Sequence, residues 1–180
     1  MKRIMVFIDG NNFESAVNNL YGSIQRINYE KLANYIAHKA SGHLQRYHYY
    51  TAACDSTVDK EKHDRTMNFV GALNKTKRCI AKAGYLKYEG KNAEGKDIFV
   101  EKRTDVNIAV DLVSLAFTNA YDEAILLSAD TDYEPAIDMV RRLGKVMTVC
   151  LVDRQKAGYL KDLCDDHMIL TKEDIDQVKR

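Results

Sequence analysis

The chain has a single proline, Pro135, and no segment rich in glycine, serine or proline that would mark a linker. Repeats and low-complexity tracts are absent as well, so residues 1–180 read as one domain. No apolar run approaches the roughly 20 residues of a membrane span, so no association with a bilayer is expected. The basic start Met1-Lys2-Arg3 leads into only five apolar residues, Ile4 to Ile8, before Asp9. That is too short for a secretory leader. The four cysteines, Cys54, Cys79, Cys150 and Cys164, form no CxxC pair, which argues against a zinc ribbon. With no leader, they read as reduced thiols of a cytosolic protein, and the expected location is cytoplasmic.

A strong net charge is also missing. The balance of +1 removes any global polycation as a reason to expect nucleic acid. Its distribution is nevertheless uneven. Between Lys75 and Arg103 lie nine Lys/Arg against four acids, while Asp153, Asp162, Asp165, Asp166, Glu173, Asp174 and Asp176 crowd the C-terminal stretch. A local basic surplus attracts phosphate backbones, although an ordinary solvated face has the same composition. An apolar fraction of 46% over 180 residues supports a globular core. A chain of this length buries roughly 70% of its unfolded surface.

Strand and helix signals alternate. Arg3–Ile8 is continuously apolar, as a strand covered on both faces should be. Helices are expected over Asn12–Leu20, over Tyr29–Ala40 with Asn28 as cap, and over Asp59–Leu73. Leu44–Ala53 reads as a strand, and Cys79–Ala83 as a further helical turn stopped by Gly84. Tyr85–Tyr88 reads as a short strand, and the polar Glu89–Lys96 segment as a loop or the tip of a hairpin returning through Ile98–Val100. Thr104 is expected to cap a helix to Phe117. The pattern ends with a strand at Ala124–Leu127, a helix at Tyr133–Leu143 and a strand at Val146–Val152. Pro135 falls in that helix's first turn, where a missing N–H costs nothing. Such alternation predicts an α/β fold, a Rossmann-like three-layer sandwich with a mainly parallel sheet. Taking its strand order as 3-2-1-4-5 puts the reversal between the first strand and Ala124–Leu127. Ligands then sit beyond the carboxyl ends of the strands, where strand order reverses.

Four aspartates are the most informative feature. Asp9 ends the first strand, Asp130 and Asp132 follow Ala124–Ala129, and Asp105 opens the Thr104 helix. Asp105, Ile108, Ala109, Leu112 and Ala116 share one helical stripe, which aims Asp105 at the sheet rim. With the order given above, all four carboxylates meet there. Uncompensated, they raise one another's pKa, and a divalent cation is the usual resolution. Each also has a plainer role, since Asp9-Gly10-Asn11-Asn12 suits a turn, Asp132 an N-cap and Asp105 a positive helix end. Asp111 lies on the polar line Asn107, Asp111, Ser114, Thr118, which predicts a solvated residue.

Three segments carry a family resemblance: Val6-Phe7-Ile8-Asp9-Gly10-Asn11-Asn12, Lys102-Arg103-Thr104-Asp105-Val106-Asn107-Ile108-Ala109-Val110-Asp111, and Leu127-Ser128-Ala129-Asp130-Thr131-Asp132-Tyr133. Together they resemble the NYN domain of the PIN-like nuclease superfamily, in its bacterial LabA-like branch, over residues 3–152. The resemblance implies a Mg²⁺ or Mn²⁺ site, cleavage of RNA, functional roles for Asp9, Asp105, Asp130 and Asp132, and a recurrent acid at Asp111. The third motif commonly reads Ser-Gly-Asp-x-Asp-Phe, so Ala129 and Tyr133 depart from it while keeping the carboxylates. Some PIN-like proteins dimerise, which leaves a homodimer open.

The expected activity is a metal-dependent ribonuclease hydrolysing phosphodiester bonds, with single-stranded RNA as partner. Asp9 and Asp130 are the expected direct ligands, with Asp105 and Asp132 acting through water or a second ion. Asn12 and Ser128 could orient the carboxylates. Lys102, together with Lys75, Lys77 and Arg78, is the candidate phosphate contact, and Tyr85 and Tyr88 could stack bases. The five histidines fall in no catalytic spacing. A catalytically silent nucleic-acid-binding or regulatory module is the main alternative. A dehalogenase-type phosphatase would need an acid where Asn11 stands, and a response-regulator receiver would need a late-strand lysine that is missing. RNA versus DNA and endo- versus exonuclease stay open at this level.

Overall fold

Along the first strand the apolar side chains divide between two cores. The computed structural model describes residues 1–180 and begins with β1, Lys2–Asp9. Ile4, Val6 and Ile8 enter a core on one face of the sheet, and Met5 and Phe7 enter a second core on the other. This is the period of two of an extended chain, and it explains why a strand buried on both sides reads as one unbroken apolar run. Asp9, next after Phe7 in the same alternation, is turned toward the second face.

The remaining elements follow in order. They are α1 Gly10–Tyr21, α2 Tyr29–Lys39, β2 Gly42–Cys54, α3 Lys60–Leu73, β3 Cys79–Lys91, β4 Asp97–Lys102 and α4 Thr104–Phe117. Then come β5 Glu123–Leu127, a 3-10 turn Thr131–Tyr133, α5 Glu134–Arg142, β6 Val146–Val152, α6 Gly158–Leu163, β7 Asp166–Leu170 and α7 Lys172–Val178. They build one seven-stranded sheet, β4-β3-β2-β1-β5-β6-β7, parallel except for the β3–β4 hairpin. The expected 3-2-1-4-5 core is present as β3-β2-β1-β5-β6. It differs in detail by an antiparallel strand at one edge and β7 at the other. Side chains of α1, α2, α3 and α7 cover the face of Ile4, and those of α4, α5 and α6 cover the face of Met5. No helix is long and apolar enough to cross a membrane.

Four local expectations are corrected. Cys79–Ala83 is strand, not helix, because it pairs in parallel with Tyr47–Thr51. The Asn74 side chain further holds Ala81 by both its backbone N–H and its carbonyl. A short apolar run of small residues carries no period of its own, so its neighbour decides. Thr104 does not cap α4. It is the first helical residue, follows Arg103 in a left-handed conformation at φ 74°, and donates its hydroxyl to the Thr51 carbonyl at 3.4 Å. Asp132 is not the cap after β5 either, since Asp130 accepts the Asp132 N–H instead. Finally, Asp111 is buried rather than solvated. It takes both oxygens to Lys82, at 2.6 and 2.8 Å, and one to the Tyr50 hydroxyl at 2.7 Å. The outward side of α4 is instead apolar, with Val106, Val110 and Phe117 exposed.

Candidate active site

The chain leaves β1 toward β2 and β3 in one direction and returns through β5 and β6 in the other. The carboxyl ends of β1 and β5 are therefore the point where strand order reverses, the usual ligand crevice of open α/β sheets. Asp9 stands there, 5% exposed, and does three things at once. Its Oδ1 caps α1 by accepting the Asn12 N–H at 3.2 Å. Its Oδ2 accepts the hydroxyls of Ser128 and Tyr133, each at 3.1 Å. Burial pushes the Asp9 carboxyl up to about 6, against the pull of these donors and with Glu101 adding to the rise.

Tyr133 joins the two motifs. Its buried hydroxyl lies 3.1 Å from Asp9 and 3.0 Å from Asp105 Oδ1, so the two carboxylate oxygens are at most about 6 Å apart. A phenol has one proton, so it cannot donate to both acids. The second contact is favourable only when that carboxyl carries a proton, which the raised pKa of Asp9 allows. Asp105 is also raised, first by burial, with Glu101, Asp130 and Asp132 adding repulsion against the Tyr133 hydrogen bond. Burial and the two acids keep the Tyr133 phenol protonated.

Asp130 is tied into the same group through Ser128, whose oxygen accepts the Asp130 N–H at 3.1 Å while its hydroxyl donates to Asp9. Asp132 is exposed on the rim. Asn12 contributes its backbone to Asp9, whereas its side-chain oxygen accepts the Ala129 N–H at 3.1 Å and the Gln155 amide at 3.0 Å. It thereby pins the loops after β1, β5 and β6 to one another. Glu101 had no signal in the sequence. The hairpin register brings it to the rim, where it accepts the Asn11 amide at 2.7 Å. The Tyr133 hydroxyl was visible only as a departure from the usual phenylalanine.

Other candidates lie elsewhere. Asp111 belongs to the Lys82–Tyr50 cluster beneath α4 and touches none of the rim acids. Burial alone would raise its carboxyl, but the hydrogen bonds from Lys82 and Tyr50 outweigh that and hold it well below the ordinary range. The His48 Nδ1 is 3.6 Å from Asp111, beyond hydrogen-bond reach, and neither ring nitrogen has a partner. Lys75, Lys77 and Arg78 form the turn before β3, at the amino ends of the strands. Lys82 is level with Tyr50 and Asp9 in the ladder. Arg78 is thus four residues, roughly 13 Å, toward the opposite rim. These three cations are not brought to the acids. Lys102 is exposed at the end of β4, and Arg103 beside it stacks over Tyr85 at 5.0 Å.

None of the chain's ion pairs involves Asp9, Glu101, Asp105, Asp130 or Asp132. The acids line a rim, and no three of the His, Cys, Asp or Glu side chains close into a ready-made cage. An all-oxygen set with no cation paired to it is the donor chemistry that hard divalent ions take.

Similar proteins share the family and the fold. The LabA protein of Synechococcus elongatus, described as a low amplitude and bright protein, is 26% identical over 170 residues, covering 93% of this chain and 83% of its own. The crystal structure of VPA0982 from Vibrio parahaemolyticus, a protein of unknown function, superposes with a TM-score of 0.62 at 19% identity. The match covers 96% of this chain and 94% of that one, a likeness of fold. A family model described as NYN domain matches residues 3–171, nearly the whole sequence. The chain, with its acidic rim at the strand-order reversal of a PIN-like, nuclease-type fold, belongs to the NYN domain family.

Proposed function

We propose that the protein is a metal-dependent ribonuclease that hydrolyses phosphodiester bonds in single-stranded RNA at the Asp9–Asp105–Asp130–Asp132 rim. The observation that carries this reading is a set of carboxylates at the ligand crevice with no Lys or Arg paired to any of them. Such a set is unfavourable by itself and favourable around Mg²⁺ or Mn²⁺. Asp9 and Asp130 would hold the ion, with Asp105 and Asp132 reaching it through water. When bound, such an ion supplies an activated water and offsets charge on the phosphate. The chain's own groups prepare the rest. Ser128 and the Asn12 N–H fix the orientation of Asp9, and the Tyr133 hydroxyl bridges Asp9 and Asp105. Phe7, Ile108 and Leu126 belong to the buried apolar core on the face of the sheet toward which Asp9 turns.

Labelled single-stranded RNA and DNA, incubated with Mn²⁺ or with EDTA, test the reading directly. Cleavage of RNA with Mn²⁺ alone is expected, and Asp130→Asn should lower it at least 100-fold while the fold persists. Undiminished cleavage by that variant would remove Asp130 from the site. A second reading, a silent nucleic-acid-binding module, is favoured by one feature: the Tyr133 hydroxyl fills the space between Asp9 and Asp105. Wild-type protein that binds RNA but neither cleaves it nor takes up Mn²⁺ in a calorimetric titration would decide for that reading.

A further inference from the structure

Beside the acidic rim, α1 and the loop after β6 enclose an open cleft of about 490 Å³. Its wall on α1 is the stripe Asn11, Ser15, Asn19, spaced i, i+4, i+8 so that all three face one way. Ser15 and Asn19 are exposed, and neither side chain has a hydrogen-bond partner within the protein. The opposite wall carries Arg154 and Gln155. Gln155 fixes the separation, since it accepts the Val152 N–H at 2.7 Å and donates to Asn12 at 3.0 Å. Arg154 is exposed, unpaired and held at φ 71°, a left-handed conformation uncommon outside glycine. Asp153 is the single acid in the lining.

Position gives this cleft its meaning. Asn11 and Asn12 line it and also touch the acidic rim, Asn11 through Glu101 and Asn12 through Asp9. A polymer whose phosphate lies over the ends of β1 and β5 and that runs along the sheet edge toward β6 meets the end of that strand, where Arg154 stands. Its volume falls in the range of about 300–1,000 Å³ typical of small-ligand sites, room for one nucleotide but not for a duplex. Amide and hydroxyl groups free of internal partners suit the edges of an unpaired base, and an unpaired guanidinium suits a phosphate.

We propose that this cleft binds the single unpaired nucleotide adjoining the scissile phosphate. Asn19 and Ser15 hydrogen-bond its base, and Arg154 holds the phosphate on its far side. The inference rests on the nuclease reading above and adds the strand's direction of travel across the rim. It also predicts a preference for unpaired substrate, because a paired base cannot enter between α1 and the β6–α6 loop.

The test uses the full chain with Mn²⁺ and labelled single-stranded RNA, and compares wild type with Asn19→Ala and Arg154→Gly. Glycine keeps the left-handed backbone at 154, and Asn19 is an exposed helix position, so both variants fold, as a melting curve verifies. Arg154→Gly is expected to raise KM about tenfold and to reduce the salt slope of kcat/KM by about one. Asn19→Ala is expected to raise KM several-fold without altering that slope, and both losses shrink on duplex RNA. Wild-type cleavage with both variants matching its KM and slope would overturn the subsite and leave the nuclease reading standing. Equal cleavage of duplex and single strand would also overturn it. A wild type that cleaves nothing would overturn the nuclease reading, and this inference with it.

Discussion

A carboxylate 5% exposed with no cation beside it is costly, and Asp9 shows where the cost lies. Its pKa of about 6, against an ordinary 3.8, means that the folded chain holds this proton more tightly than the unfolded one. The sign follows from linkage: the group favours folding below the unfolded value, and that contribution is lost as pH rises through about 6. A rise of this size corresponds to a loss on the order of 3 kcal/mol. Asp9→Asn should therefore stabilise the metal-free protein at pH 7.5, and the gain should vanish near pH 4. The amide can still accept the Asn12 N–H and can donate to Ser128. Chemical denaturation at the two pH values checks this, and a variant no more stable than wild type at pH 7.5 would contradict the buried-charge account. Added Mn²⁺ should raise the melting temperature of wild type by mass action and leave Asp9→Asn unmoved.

At the scale of elements, the placement of α4 decides whether Asp105 reaches the rim. Two contacts hold that helix. Beneath it, Lys82 and Tyr50 grip Asp111, joining β3 and β2 to the helix's second turn. At its start, Gly84 lets β3 pass so close to the β4–α4 corner that an added Cβ would lie 2.4 Å from the Lys102 carbonyl and 2.5 Å from Thr104 Oγ1. Gly84→Ala should thus cost about 1–3 kcal/mol through overpacking. It should also depress cleavage by displacing Asp105. Gly71→Ala on α3, where a Cβ would meet nothing within 4 Å, is the control and should be neutral or stabilising by up to about 1 kcal/mol. Denaturant midpoints and cleavage rates measured together separate the two effects. A harmless Gly84→Ala would mean the corner has slack.

Over the whole molecule, charge is sorted by the ends of the strands. The acids gather at the carboxyl ends of β1 and β5, flanked by Lys102 and Arg103 on one side and Arg154 on the other, while Lys75, Lys77 and Arg78 sit at the amino ends. Long-range attraction is screened within about 10 Å at ordinary salt, so cations on the far rim add little to a strand bound over the acids. Lys75→Gln and Lys77→Gln with Arg78→Gly, which keeps the φ of 61° at that position, should leave KM for RNA and its salt slope as in wild type. A slope reduced by two or three would show instead that RNA continues over the amino edge.

Local pattern was enough to give the layer order and the strand ends at which the candidate site lies. Continuous apolar strands alternate with amphipathic helices, and a period of 2 or 3.6 is a local property that survives without coordinates. The motif acids Asp9, Asp105, Asp130 and Asp132 were legible for the same reason, since each sits at an element's end. Which polar groups met was a matter of long-range packing. Asp111 reads as solvated by helical position, yet Lys82, Tyr50 and His48, distant in sequence, surround it. Cys79–Ala83 became strand because β2 offered a ladder, and Glu101 and Arg154 came to the rim through register and a left-handed turn. These outcomes depend on partners brought from other segments, and the free energy of a buried charge is set by those partners rather than by its neighbours along the chain.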